Sequence, residues 1–441
     1  HSLGYTGNPN DADLEEIFLN QNLTPKEIIF SYSNGYLIGK TGLEHTYDDH
    51  IRGQFGKKIF EVDASGKFLK ELETIDEIHG KDLFTTLDLE SQRVAFEQLD
   101  NRRGAVVAVK ISNGEIVTYL SSPSFSVNKI ANGISQKDFN SLLNNDDKPF
   151  FDRAAQGRYS PASTIKPAIG LFGIENKIID WNFTIDDPGY FILPEDGRIY
   201  RGWKKGGHGN INLKDAIIES SNTFFFSLAY KSEIEDLIKH LSNFGFGETV
   251  CIDCFLPDSG LLPDPLWKMN TLNFGWFKGD TVNLGVGQGY LSATPIQLAY
   301  YASFLANKGE LNKFSFVQDN SELEKSIFLN NNIDESDWLK LHESMIGVIE
   351  SPKGTAGRLR SLKNYTIAAK SGTVELVSTE TKEDYKIIRE VEGKRDHAII
   401  IAFGPMPNPE YAVSVVIENG ESGGSVAGPV AIAVLNTLLK K

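Results

Sequence analysis

Ser163 and Lys166 place a hydroxyl and an amine three residues apart in the run Ser160-Pro161-Ala162-Ser163-Thr164-Ile165-Lys166-Pro167. Three residues is nearly one helical turn, so the two groups share a helix face. Pro161 pushes Ser160 towards an extended backbone, and Pro167 falls in a first turn whose N–H groups lack intrahelical partners, so a helix begins here despite two prolines. Ser163 then sits at the positive end of that helix. A serine hydroxyl is a poor nucleophile until a base takes its proton, and Lys166 is such a base only where burial and neighbouring cations keep it neutral. Bringing a lysine from its reference near 10.4 to about 7 costs roughly 4 to 5 kcal/mol, which a packed site must supply.

Ser-x-x-Lys is a common pattern and recurs at Ser126-Val127-Asn128-Lys129. Order separates the two copies. Ser163 is followed by Ser220-Ser221-Asn222 and then by Lys370-Ser371-Gly372-Thr373 in an apolar, strand-like run. Together these reproduce the serine, S-x-N and K-[ST]-G set of penicillin-interacting enzymes. Acyl transfer from a serine needs a nucleophile, a base, a proton path to the leaving amine and donors for the oxyanion. Ser163 and Lys166 supply the first two. Ser220 can relay a proton, and Asn222 can hold Lys166 or the substrate amide; the alternative for this segment is a plain helix cap before Thr223. Lys370 is a cation that keeps Lys166 neutral and grips a carboxylate. Gly372 lets a substrate backbone approach, and the N–H groups of Ser163 and Thr373 form the natural oxyanion hole.

These groups need elements to hold them. Residues 57–63 and 67–73 flank Ala64-Ser65-Gly66 as a hairpin. A second domain begins near Gly80, with an amphipathic helix over 90–99. Residues 104–111 and 115–121 are joined across Ser112-Asn113-Gly114, a strong hairpin signal. Helices follow at 165–174, 213–219, 223–230 and 233–244, the last stopped by Gly245, and Thr294-Pro295 opens another to about 307. Beyond Lys370 come strands at 397–403 and 411–418 and a closing helix over 426–439. The strands at the two ends must meet in one antiparallel sheet, so the fold class is α+β: a sheet and an all-helical lobe enclosing a cleft.

The chain has 441 residues, enough for two or three domains. Its net charge of -15, with no dense Lys/Arg stripe, argues against nucleic acid as a partner. It has no run of eighteen apolar residues, and His1-Ser2-Leu3-Gly4-Tyr5 has neither a charged n-region nor an h-region. Two cysteines, in Cys251-Ile252-Asp253-Cys254, exclude a disulfide scaffold and leave either a tight local disulfide or two free thiols.

Beyond the three motifs, Gly39-Lys40-Thr41-Gly42-Leu43-Glu44 with Arg52-Gly53, Trp203 with Gly207-His208-Gly209, Phe244-Gly245-Phe246-Gly247, Gly279-Asp280-Thr281, Gly287-Gln288-Gly289-Tyr290 and Thr294-Pro295 occur in an order that resembles class B penicillin-binding proteins. The likeness is to the elongation-type penicillin-binding protein 2 family, over nearly the whole chain. It implies a penicillin-binding transpeptidase fold at 80–441 behind a partial pedestal at 1–79. It also implies D,D-transpeptidation of peptidoglycan stem peptides during cell elongation, without a cofactor, and acylation by β-lactams. Ser371, Gly372, Thr373 and Trp203 are expected to line the substrate. The family works at the periplasmic face of the inner membrane beside a SEDS-type glycan polymerase and elongation-complex scaffold proteins, held by an N-terminal helix absent from this chain. Some relatives carry a metal-binding Asp/His/Cys cluster around the second motif. Here Asp187 and His208 remain while Gly202 and Ser221 take the other two positions, so no metal is expected. Glu375 stands where relatives often have Gln. Rival readings on the same fold are a D,D-carboxypeptidase, a β-lactamase and a non-catalytic penicillin-binding sensor. The Glu-x-x-Leu-Asn element that a β-lactamase places after the second motif occurs only at Glu16-Ile17-Phe18-Leu19-Asn20, before the nucleophile.

Overall fold

The computed structural model describes residues 1–20, 37–310, 312–318, 333–377 and 387–440, and it divides into two units. The first comprises His1–Thr85, Ser124–Asp146 and Asp253–Phe255; the second comprises Thr86–Pro123, Asp147–Ile252 and Leu256–Lys441.

In the first unit, β1 (Lys57–Val62) pairs antiparallel with β2 (Phe68–Ile75). The reversal between them is made by Asp63, whose carboxylate accepts from the N–H groups of Ser65 (2.8 Å) and Lys67 (3.0 Å), with Gly66 at φ +83°. This is the hairpin expected around Ala64-Ser65-Gly66. Ser126, the decoy serine, is the N-cap of a short helix, Val127–Ala131. It accepts from the backbone N–H of Lys129, and both side chains are exposed.

The second unit opens with α1 (Leu89–Leu99), β3 (Gly104–Lys110) and β4 (Ile116–Ser122), then reaches a 3-10 turn (Ala162–Ile165) that runs into α2 (Lys166–Glu175). Next come β5 (Thr184–Asp187), β6 (Gly209–Asn212), α3 (Leu213–Ile218), α4 (Asn222–Tyr230) and α5 (Ile234–Ser242). The remainder is α6 (Pro265–Leu272), α7 (Lys278–Leu284), α8 (Pro295–Ala306), α9 (Glu335–Glu350), β7 (Ala368–Val374), β8 (His397–Gly404), β9 (Tyr411–Ile417) and α10 (Gly428–Leu438). Five strands form one antiparallel sheet in the order β7-β8-β9-β3-β4, so the early hairpin and the late strands do meet. The seam is β3 against β9, with Gly104 opposite Ile417 and Lys110 opposite Tyr411.

The central strands read as continuous apolar runs because both faces are covered. In β8 all but His397 are buried, and in β9 all but Tyr411. α8 packs on β3, β8 and β9, while α1 and α10 pack on each other and on the sheet. All twelve residues of α8 are buried, and its start is a capping box: Thr294 Oγ1 accepts from Gln297 N–H while Gln297 Oε1 accepts from Thr294 N–H. Each expected helix and strand of this unit is present to within about two residues at its ends. The closing helix is among them, and a wider π-helical turn, Gly423–Ala427, leads into it.

Cys251 and Cys254 are both disulfide-bonded, which settles the alternatives left open by the sequence. Among the described residues no helix is long and apolar enough to cross a membrane.

Candidate active site

Ser163 lies in the 3-10 turn and Lys166 at the first residue of α2, so the helix does start at this motif, with a tighter first turn than an α-helix. Pro167 occupies the first turn of α2, where no donor is lost. Two contacts fix the turn from outside. Ala162 N–H donates to Gly287 O (3.0 Å), and Tyr301 Oη accepts from Ala168 N–H (3.1 Å) while donating to Ile165 O (3.4 Å). Ala162 itself is left-handed at φ +47°, which turns the backbone sharply just before the half-buried Ser163.

Lys166 is fully buried, and its Nζ donates to Ser220 O (2.9 Å), Ser220 Oγ (3.2 Å) and Asn222 Oδ1 (2.6 Å). Lys370, on β7 and also fully buried, donates to the same Ser220 Oγ (2.9 Å) and to Ser371 O (3.1 Å). Burial, and then the charge of Lys370, hold the Lys166 amine well below the usual lysine range. Burial brings Lys370 down to about 7. One serine hydroxyl thus bridges two lysines, at least one of them readily neutral, which is the condition for an amine to act as a base.

The third motif sits where β7 runs along the 3-10 turn. A Cβ on Gly372 would lie 3.1 Å from Thr164 Cγ2 and 3.2 Å from Pro161 O. A side chain here would press on the turn that carries Ser163, so glycine also serves strand-to-turn packing, beside the substrate approach expected from the sequence. Ser371 is buried, with its hydroxyl 2.8 Å from Thr355 Oγ1, whereas Thr373 is exposed. Glu375, two residues on, is also exposed. Trp203 is 52% exposed, yet its indole N–H is committed inward, to Glu219 O (3.2 Å) and Ser220 O (3.1 Å). All nine expected site residues lie in the second unit. Thr355 and Tyr301 were not anticipated, because each acts on a motif distant in sequence and has no local pattern of its own.

The residues around the second motif do not fit a metal. Asp187 Oδ2 already accepts from Ser221 Oγ (2.7 Å) and His208 Nδ1 (2.6 Å), and Gly202 brings no donor. Asp187 and His208 alone provide two protein donors where a structural zinc takes four. Among the described residues no group of three or more His, Cys, Asp or Glu is arranged to hold a metal ion.

A helix start carrying Ser163 and packed against an antiparallel sheet, with two buried lysines sharing one serine, is the arrangement of the penicillin-binding transpeptidase fold. Residues 104–436 match the penicillin binding protein transpeptidase domain and residues 1–85 the penicillin-binding protein dimerisation domain, and the chain belongs to the penicillin-binding protein transpeptidase family. It is 39% identical over 437 residues to the peptidoglycan D,D-transpeptidase MrdA of Acinetobacter baumannii, covering 97% of this chain and 63% of that protein. The identity to the Escherichia coli K12 protein of the same name is 35%, covering 97% and 68%. The chain thus spans less than two thirds of the Acinetobacter relative. Among solved structures, Pseudomonas aeruginosa PBP2 in complex with WCK 5153 superposes with a TM-score of 0.82 at 34% identity, covering all of this chain and 89% of that one. Helicobacter pylori PBP2 in complex with MreC gives 0.86 at 32%, covering all of this chain and 77% of that one.

Proposed function

We propose that this chain is the catalytic part of a peptidoglycan D,D-transpeptidase that cross-links stem peptides during cell elongation and is acylated by β-lactams. The observation that carries the reading is the set of hydrogen bonds joining Lys166, Ser220, Asn222 and Lys370. Lys166 takes the proton of Ser163, and Ser163 Oγ attacks the carbonyl of the penultimate D-Ala. The N–H groups of Ser163 and Thr373 hold the oxyanion, and losing one such donor costs ~10² to 10³ in rate. Ser220 passes the proton from Lys166 to the departing D-Ala amine. Lys370 keeps Lys166 neutral and, with Ser371, Gly372, Thr373 and Trp203, grips the substrate. An acceptor amine from a neighbouring stem peptide then takes the acyl group. With a β-lactam the ring nitrogen expelled from the carbonyl carbon as Ser163 Oγ bonds to it stays tethered to the acyl group, so the adduct persists.

We read residues 1–79 as a partial pedestal and 80–441 as the transpeptidase domain. The family resemblance supports placement at the periplasmic face of the inner membrane, through an N-terminal helix outside this chain. It also supports partnership with a SEDS-type glycan polymerase and with a scaffold protein such as the MreC bound by the Helicobacter relative.

Intact-mass analysis after penicillin, followed over hours and then by peptide mapping, tests the reading. One stable adduct on Ser163 is expected. Rapid loss of the adduct indicates a β-lactamase instead, and an adduct on Ser126, or one that survives Ser163→Ala, moves the nucleophile.

A further inference from the structure

Ser220 is held in a conformation it would not choose. Its φ is +57°, the left-handed region that a residue with a Cβ rarely occupies. That turn, between α3 and α4, aims both its carbonyl and its hydroxyl at Lys166. Something must over-determine it.

The neighbouring Ser221 is fully buried and bonded in three directions. Its N–H donates to Ala216 O (3.0 Å), its Oγ accepts from Phe224 N–H (3.1 Å) as the N-cap of α4, and its hydroxyl proton goes to Asp187 Oδ2 (2.7 Å). Asp187 ends β5 and is paired with Gly209 on β6, and its other oxygen accepts from Gly189 N–H (2.7 Å). Burial alone would raise the Asp187 carboxyl, but hydrogen bonds, among them those from Ser221 and His208, hold it below its ordinary value. An ionised carboxylate only accepts, so His208 Nδ1 is the donor in that pair. The His208 side chain is only 2% exposed, and its Nε2 has no partner among the described residues. The ring edge lies against Trp203, with centroids 5.7 Å apart, and Trp203 donates to Ser220 O. Two lines of contact from His208, through Asp187 and through Trp203, therefore end on Ser220 and its neighbour.

We propose that the buried Asp187–His208 pair is a positioning unit that clamps Ser221, and through it the strained Ser220, so that the Ser220 hydroxyl stays between Lys166 and Lys370. The proposal rests on the acyl-transfer reading above. Electrostatic tuning does not account for the pair, because the charge of Asp187 raises the Lys166 pKa, against the needs of a base.

The test measures penicillin acylation by stopped flow, separating the dissociation constant K from the acylation rate constant k2, for Ser221→Ala, His208→Ala and the double variant. Each single substitution should lower k2 at least tenfold and leave K within about threefold, since both side chains are buried. The double variant should be no slower than the slower single variant within about threefold, because both act through one path. If His208→Ala melts below the assay temperature, His208→Gln takes its place, with a threefold or greater fall in k2 expected. Wild-type k2 in the single variants, parallel changes in K and k2, or losses that multiply in the double variant would overturn the proposal. No adduct on the unmodified chain would instead overturn the transferase reading itself.

Discussion

Ser220 Oγ lies 3.2 Å from one lysine amine and 2.9 Å from another, and both amines are sealed from water. Sealing a lysine disfavours its charged form, and Lys370 shows the sign of the consequence. Its pKa is about 7 in the folded chain against 10.5 ordinarily, so between those values the unfolded chain binds more protons and stability rises with pH. Below about 7 the penalty is present in full, on the order of 5 kcal/mol. Lys370→Met should accordingly raise the melting temperature by several degrees at pH 7, with a smaller gain at pH 9, while abolishing acylation; melts at the two pH values check this. Lys166→Arg should nearly abolish acylation although it preserves charge, because guanidinium does not give up a proton to become a base. Retained acylation within about tenfold, roughly 1.4 kcal/mol of barrier, would shift the base to Lys370. Because burial and Lys370 hold Lys166 below the ordinary lysine range, the acid limb of the acylation profile should also lie well below that range.

The 3-10 turn that carries Ser163 is shaped by a neighbour far along the chain. Gly287 has φ +70°, and a Cβ there would lie 2.3 Å from Ala162 O and 2.9 Å from its N. Gly287→Ala should displace that turn, lowering acylation at least tenfold and stability by roughly 2 kcal/mol, as read by fluorescent penicillin labelling and thermal melts. Such contacts mark the boundary of what the sequence discloses. The helix start at Ser163, the turn at Ser112-Asn113-Gly114 and the helix opened by Thr294-Pro295 were legible because their signals are local: prolines, an Asn-Gly pair, a Thr-Pro pair. α9 buries Trp338, Leu341, Met345 and Val348, a helical spacing that the sequence does contain and that reading by motif passed over. β5 and β6 are four residues each, too short for a clear alternation. The Thr355–Ser371 contact and the Tyr301 prop on Ile165 join residues 16 and 136 apart, where no spacing rule reaches. The three motifs were legible as chemistry, but their mutual placement, with two lysines on one hydroxyl, exists only once the fold has formed.

On the scale of the whole molecule, Asp187 and His208 provide too few donors for a structural zinc. A chelator should leave the melting temperature unchanged, and a shift of several degrees would reveal ligands elsewhere. If partners act through the pedestal, as the family resemblance suggests, the isolated chain should take up β-lactam yet cross-link glycan strands weakly or not at all, which a gel-based assay on nascent glycan reads directly. The seam of the catalytic sheet carries a further consequence, for the order of assembly. Gly104 pairs with Ile417, 313 positions later, so the sheet closes only after the chain as far as Ile417 is available. Closing a loop of that length costs about 5 kcal/mol of chain entropy before any contact rewards it. Folding should be slow and late, because pairings so remote in sequence form last. A chain ending at Gly404 keeps Ser163, Lys166, Ser220, Asn222 and Lys370 but loses β9, the strand joining β8 to β3. It should take up no penicillin, although every motif is present.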